Sequence, residues 1–209
     1  MRTTQCQKPS GWLGKFIVWN MNSRHSRLTD WGLSHIAMKH QDWVLDVGCG
    51  GGRTISKLSA IASTGKVFGI DFSDVSVSVA RKLNARSIAE GRVDVREASV
   101  SKLPFEANTF DLVTAIETHF WWPDLPAGLR EIFRVLKPQG TLVLIAEIYK
   151  GAPTRTAKLA EKVIPLSGMK LLTPDEHRSL LVEAAYTDVQ IITEAKRGWL
   201  CGIGRKASA

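Results

Sequence analysis

The chain has 209 residues, 44% of them hydrophobic and 23% charged, with a formal net charge of +8. That length suits one buried core with local insertions, and the balance is far from that of a disordered chain. No apolar run reaches the roughly 18 to 20 residues needed to span a bilayer, and residues 1–9 lack the apolar stretch of a signal peptide, so a cytoplasmic protein without a membrane span is expected.

Cys6, Cys49 and Cys201 are far apart, with no CxxC and no Cys/His cluster. Reduced thiols and no structural metal follow, with Cys49 read as a small buried filler. Residues 1–40 hold six Lys/Arg against one acid, residues 41–148 twelve against thirteen, and residues 149–209 ten against six. The basic excess lies in the flanks, where it suits either an anionic partner or a solvated surface with none.

In chain order, Trp43–Val47 reads as a buried strand ending in a glycine cluster, and Arg53 to Ala62 has apolar residues at helical spacing. Lys66 to Ile70 is a second strand. Ser73 to Glu90 reads as a helix that Ser73 caps and Gly91 ends, and Val93 to Ala98 as a third strand. Phe110 to Ile116 is a fourth strand, followed by a helix over about 125–136. The turn Lys137-Pro138-Gln139-Gly140 stops that helix, because proline cannot continue it and glycine tolerates positive φ. Thr141 to Ile148 is a fifth strand, apolar throughout its middle as a central parallel strand should be.

Residues 149–172 are rich in Lys, Pro and Gly and read as an irregular insertion. Thr173-Pro174-Asp175-Glu176 is a capping box opening a helix to about residue 184. The strands Asp188 to Thr193 and Trp199 to Arg205 are too close together for a crossover helix and must form an antiparallel hairpin. The chain thus divides into an N-terminal helical cap (1–40), a core (41–148), an insertion (149–172) and a terminal helix and hairpin (173–209) of one domain.

The chemistry centres on Gly48-Cys49-Gly50-Gly51-Gly52, a turn between strand and helix that lets a ligand approach the backbone at a helix N-terminus. A dinucleotide site would want GxGxxG, but Arg53 occupies the place of the third glycine. A ligand with a carboxylate and an amine but no phosphate still fits GxGxG. Asp71 ends the second strand, where a carboxylate can accept both ribose hydroxyls, or else cap the next helix. Phe72 beside it can flank an adenine.

On Val44 to Gly52, Gly69-Ile70-Asp71, Leu103-Pro104-Phe105, Phe110-Asp111-Leu112-Val113 and Arg134 to Leu142, the chain resembles the class I S-adenosylmethionine-dependent methyltransferases. The likeness is particularly to the small enzymes related to ubiquinone and menaquinone biosynthesis, and it spans about residues 43–147. It implies an α/β fold with a Rossmann-like, seven-stranded, mostly parallel sheet, an antiparallel last strand and helices on both faces. It implies S-adenosylmethionine as cofactor and S-adenosylhomocysteine as product. Asp46 with Gly48, Gly50 and Gly52 would hold the methionine part, and Asp71 with Phe72 the adenosine. The family often has an acid four positions before the Leu103 equivalent. Here Ser99 stands there, leaving adenine to its hydroxyl and to the backbone of Ala98 or Val100.

The fourth strand runs into Ile116-Glu117-Thr118-His119-Phe120-Trp121-Trp122. By the resemblance Ile116 lies beside the cofactor and this segment faces the reacting methyl. His119 is the first candidate for a general base and Glu117 the second, with the aromatics as an apolar wall. The alternative is that His119 only bonds a backbone carbonyl and that the tryptophans pack under the next helix. Residues 10–33 and 149–172 are expected to form a lid over a small anionic or aromatic acceptor. A rival reading, a nucleic-acid methyltransferase or binding module using the basic flanks, has against it the lack of an Asn/Asp-Pro-Pro-Tyr/Phe motif. A protein that keeps the fold without catalysis is a further alternative.

Overall fold

The structure, a computed structural model, describes residues 26–163 and 170–208. Cys6 and residues 10–25 of the expected lid fall outside them. The first described element, α1 (Ser26–Leu33), is followed by β1 (Trp43–Val47), α2 (Arg53–Ile61), β2 (Lys66–Asp71), α3 (Asp74–Leu83), α4 (Ala85–Ala89) and β3 (Val93–Glu97). After β4 (Phe110–Ile116) and a short 3-10 turn (His119–Trp121) come α5 (Leu125–Val135), β5 (Leu136–Ala146), α6 (Arg155–Val163), α7 (Pro174–Glu183), β6 (Thr187–Glu194) and β7 (Trp199–Arg205).

The strands form one seven-stranded sheet in the order β3-β2-β1-β4-β5-β7-β6. β1 to β5 run parallel, and β7 pairs antiparallel with both β5 and β6, as the short connection requires. Alternate residues of the central strands enter two separate cores. Leu45, Val113, Leu142 and Leu144 pack with Leu129 and Ile132 of α5 and Leu181 of α7. Val44, Val143 and Ile145 pack with Leu28 of α1, Ile55 and Leu58 of α2, and Val77 and Ala80 of α3. Helices therefore cover both faces, which is why β5 is apolar on both sides.

Gly32 brings α1 against β5: a Cβ there would meet Ile145 Cδ1 at 2.2 Å. The basic head of Lys57 on α2 ties the same helix down through the Ser26 carbonyl at 3.0 Å, the Ser26 hydroxyl at 2.9 Å and the carboxylate of Asp30.

Three expectations need correction. The helix expected over Ser73 to Glu90 is two helices, because Asn84 turns its buried side chain inward and donates from Nδ2 to the carbonyls of Gly52 (3.0 Å) and Ala80 (2.9 Å). The turn after α5 takes its positive φ at Gln139 (65°) rather than at Gly140. Gly140 is instead needed for space, since a Cβ would meet the Lys137 carbonyl at 2.8 Å and that of Phe110 at 3.0 Å. The 149–172 segment is not irregular throughout: α6 lies within it and seats Ala157 beside Tyr149, Ala152 and Leu200.

Among the described residues no helix is long and apolar enough to cross a membrane, and no group of three or more potential metal ligands is present. Cys49 and Cys201 are buried free thiols, and Cys49 packs where a Cβ on Gly69 would meet its Sγ at 3.1 Å.

Candidate active site

The sheet reverses its winding between β1 and β4, so a crevice opens at the carboxyl ends of these strands, the usual ligand position in such a sheet. Around it lie the ends of β3, β2, β1 and β4, which bring together Ala98 and Ser99, Asp71 and Phe72, Asp46 with the glycine turn, and Ile116 with Glu117.

The three glycines expected to form the cradle all have positive φ, 74° at Gly48, 51° at Gly50 and 80° at Gly52, but they serve different ends. A Cβ on Gly48 would strike Thr118 Oγ1 at 2.2 Å, and one on Gly52 would strike Asn84 Nδ2 at 2.6 Å and Ala80 Cα at 2.8 Å. A Cβ on Gly50 would meet nothing within 4 Å. Gly48 and Gly52 are packing positions, whereas Gly50 borders open space that a side chain would fill. Gly52 is the N-cap of α2 and provides no side-chain cap for the amides of its first turn.

Gly52→Ala is accordingly expected to destabilise the fold by about 3 kcal/mol, lowering Tm by roughly 6 to 12 °C, from strain at positive φ plus collision with Ala80. Gly50→Ala should cost only the backbone strain, about 1 kcal/mol, while obstructing the cradle. Thermal unfolding followed by circular dichroism separates the two; equal losses would show that Gly52 is not a packing position.

Asp71 is buried and accepts from Gly50 N through Oδ2 and from Ser73 N through Oδ1, both at 2.9 Å. The capping of α3 falls to Ser73, whose hydroxyl accepts from Ser76 N at 3.3 Å. The Phe72 amide and the Ser76 hydroxyl donate to the same carboxylate. Asp46 is 2% exposed and accepts from the Thr114 hydroxyl at 2.8 Å. Burial pushes its carboxyl up to about 7, against the Thr114 bond that lowers it, and the Asp71 charge pushes the same way as burial. Burial also raises Asp71, opposed by its bonds from Ser73 and Gly50. Among the described residues no Lys or Arg pairs with either acid. Two buried acids without a cationic partner among the described residues suit a ligand that carries positive charge.

At the end of β3, Ala98 N donates to the Asp71 carbonyl at 3.0 Å, and the exposed Ser99 accepts from Ser101 N at 3.2 Å, leaving its hydroxyl hydrogen to donate. Phe72 is 40% exposed at the rim. Ala98, Ser99 and Phe72 thus stand at strand ends next to Asp71.

Glu117 has φ 58° and accepts from the Glu147 backbone amide at the end of β5. His119 is buried at 2% exposure, with its Nε2 3.1 Å from Nε2 of His177 on α7. Trp122 donates from Nε1 to Thr118 Oγ1 at 3.3 Å and lies over Gly128 of α5, where a Cβ would meet its ring at 2.7 Å. The packing alternative thus describes Trp122, while Phe120 and Trp121 stay half-buried with rings 5.9 Å apart. His177 was not singled out from the sequence: it stands 58 residues from His119, and no spacing rule links them.

Residues 45–144 match the family described as "Methyltransferase domain". The chain is 37% identical over 123 residues to a demethylmenaquinone methyltransferase of Lactiplantibacillus plantarum, covering 58% of this chain and 51% of that protein. It is 30% identical over 161 residues to the 27-O-demethylrifamycin SV methyltransferase of Amycolatopsis mediterranei, covering 76% and 59%. The chain spans about half the length of the curated relatives it matches. A chain of the complex between a Haloferax volcanii methyltransferase activator and a methyltransferase superposes with a TM-score of 0.81 at 21% identity, covering 99% of both chains.

Domain match and fold together assign the chain a region similar to the methyltransferase domain, on the fold of solved S-adenosylmethionine-dependent methyltransferases. The domain that carries this assignment lies at residues 45–144 and includes Asp46, the glycine turn, Asp71 and the whole of β4.

Proposed function

We propose that the chain methylates an aromatic small molecule, taking the methyl group of S-adenosylmethionine by in-line displacement and releasing S-adenosylhomocysteine. What carries this reading is the buried acid pair Asp46 and Asp71 at the glycine turn, with Asp71 holding the Gly50 amide and Gly50 itself bordering open space. In this reading Asp46, Gly48, Gly50 and Gly52 hold the methionine part of the cofactor. Asp71 accepts the ribose hydroxyls, and Phe72, Ala98 and Ser99 flank adenine. Ile116 lies beside the sulfonium. When bound, the cofactor supplies an activated methyl on a positively charged sulfur. The protein's own contribution is to align donor and acceptor and keep water out, which alone accelerates a displacement greatly.

An aromatic acceptor is favoured by the half-buried Phe120 and Trp121 beyond β4 and by the ring compounds named for the two relatives. The insertion 149–172, which contains α6, would close over it, whereas residues 26–33 pack on the sheet as α1. No observation favours a nucleic-acid acceptor.

The test is calorimetric titration of the protein with S-adenosylmethionine and S-adenosylhomocysteine, followed by mass analysis after incubation with 1,4-naphthohydroquinone. Saturable binding and a product heavier by one methylene are expected. Folded protein that binds neither compound would end the reading.

A further inference from the structure

His119 and His177 form a buried pair that nothing in the cofactor cradle requires. His177 Nδ1 lies 2.8 Å from the Thr173 carbonyl, which also accepts the His177 backbone amide at 3.0 Å. A carbonyl can only accept, so His177 Nδ1 carries the hydrogen. Burial lowers the pKa of both imidazoles, so each is neutral at pH 7, and His177 Nε2 is then a bare acceptor. Its neighbour at 3.1 Å, His119 Nε2, must therefore be the N–H donor. The consequence is that His119 Nδ1 carries a lone pair, and this buried atom has no hydrogen-bond partner among the described residues.

A buried acceptor left bare costs about 1 to 3 kcal/mol, and in a native fold such an atom calls for an explanation. The surroundings supply one. His119 follows Thr118, the residue against which Gly48 of the cradle is packed. Its partner is held by a complete capping box, with Thr173 Oγ1 accepting from Glu176 N at 3.1 Å and Glu176 accepting from Thr173 N at 2.7 Å. The dyad also has a direction. A proton added at His119 Nδ1 leaves the Nε2–H···Nε2 bond intact, whereas one added at His177 Nε2 would set two N–H groups against each other.

We propose that His119 Nδ1 is the proton acceptor for the group being methylated, and that His177 is a positioning residue that fixes the tautomer of His119. This rests on the methyltransferase reading above. As the acceptor's oxygen or carbon forms its bond to the methyl carbon, the carbon–sulfur bond breaks with its electron pair staying on sulfur, and the acceptor's proton moves to His119 Nδ1, from which it passes to solvent only when product release opens this buried place. His177 and Thr173 relay orientation and not the proton.

The test uses the full-length protein labelled with [15N]histidine and long-range 1H–15N correlation spectra, assigned with His119→Gln and His177→Gln. His119 is expected as the Nε2–H tautomer and His177 as the Nδ1–H tautomer. In His177→Leu, which keeps an apolar side chain in a buried place, His119 should become a mixture of tautomers. In turnover of 1,4-naphthohydroquinone, His177→Leu should lower kcat at least 10-fold with KM for S-adenosylmethionine within about 2-fold. His177→Gln, whose amide oxygen can accept the same N–H, should recover most of that loss. His119 found as the Nδ1–H tautomer, or His177→Leu with wild-type kcat, overturns the proposal and leaves a purely structural pair. Wild-type protein that binds the cofactor but leaves the hydroquinone unmethylated counts against the aromatic acceptor, and the tautomers then decide the dyad. Absence of cofactor binding removes the methyltransferase reading itself.

Discussion

Asp71→Ala is expected to weaken S-adenosylmethionine and S-adenosylhomocysteine binding by roughly 100-fold. Hydrogen bonds to a charged acceptor are worth about 1.5 to 3 kcal/mol each, and two ribose hydroxyls facing Asp71 place the loss near 3 kcal/mol, or about two decades of affinity. The substitution also frees Gly50 N and Ser73 N, both held by this carboxylate at 2.9 Å, so the turn loses part of its preorganised shape. Asp71→Asn keeps a carbonyl oxygen for one of these bonds and should lose about 10-fold. Calorimetry at fixed ionic strength measures both. An affinity within 3-fold of wild type in the alanine variant would mean that the cofactor's ribose is not read at this position.

Asp46→Asn should act in opposite directions on stability and on binding. Burial holds the Asp46 carboxyl at about 7 instead of its ordinary 3.8. The folded chain therefore binds a proton that the unfolded chain has already released. The stability this carries is fully present below pH 3.8 and is lost as pH rises towards 7, amounting to about 4 kcal/mol above that point. Asparagine abolishes the titration and can still accept from the Thr114 hydroxyl, although its amide hydrogens want a partner at a cost of about 1 to 3 kcal/mol.

The ligand-free variant should accordingly gain about 2 kcal/mol at pH 8, roughly 4 to 8 °C in Tm, and less at pH 5. Affinity for the cationic cofactor should fall at least 10-fold, because a neutral amide offers no counter-charge. Thermal unfolding at the two pH values, with calorimetry at pH 8, tests the pair. A variant less stable than wild type at pH 8 would show that the Asp46 charge is compensated in the fold.

Much of this architecture was legible because its signals are local. β1, β4 and β7 fall where apolar runs and turn residues set them, and Thr173 and Glu176 make the reciprocal bonds that their spacing announces. The glycine turn and Asp71 were readable because a strand, a tight turn and a helix fix their relation within one βαβ unit. What escaped depends on contacts between distant segments. Asn84 breaks the helix after β2 by bonding to Gly52, 32 residues away, so periodicity alone runs straight through it. Gln139 takes the positive φ because Gly140 is pressed between two carbonyls, a constraint that arises only once β4 and β5 are paired. His177 faces His119 only because α7 returns over the end of β4.

The placement of β7 has a bearing on how the sheet is completed. β6 precedes β7 in the chain yet lies outside it, with no other strand to hold it. β6 is therefore joined to the parallel half only through β7, whose inner edge pairs with β5. Loss of β7 would thus detach β6 with it, while the strand ends at β1 and β4 that frame the crevice lie on the other side of β5.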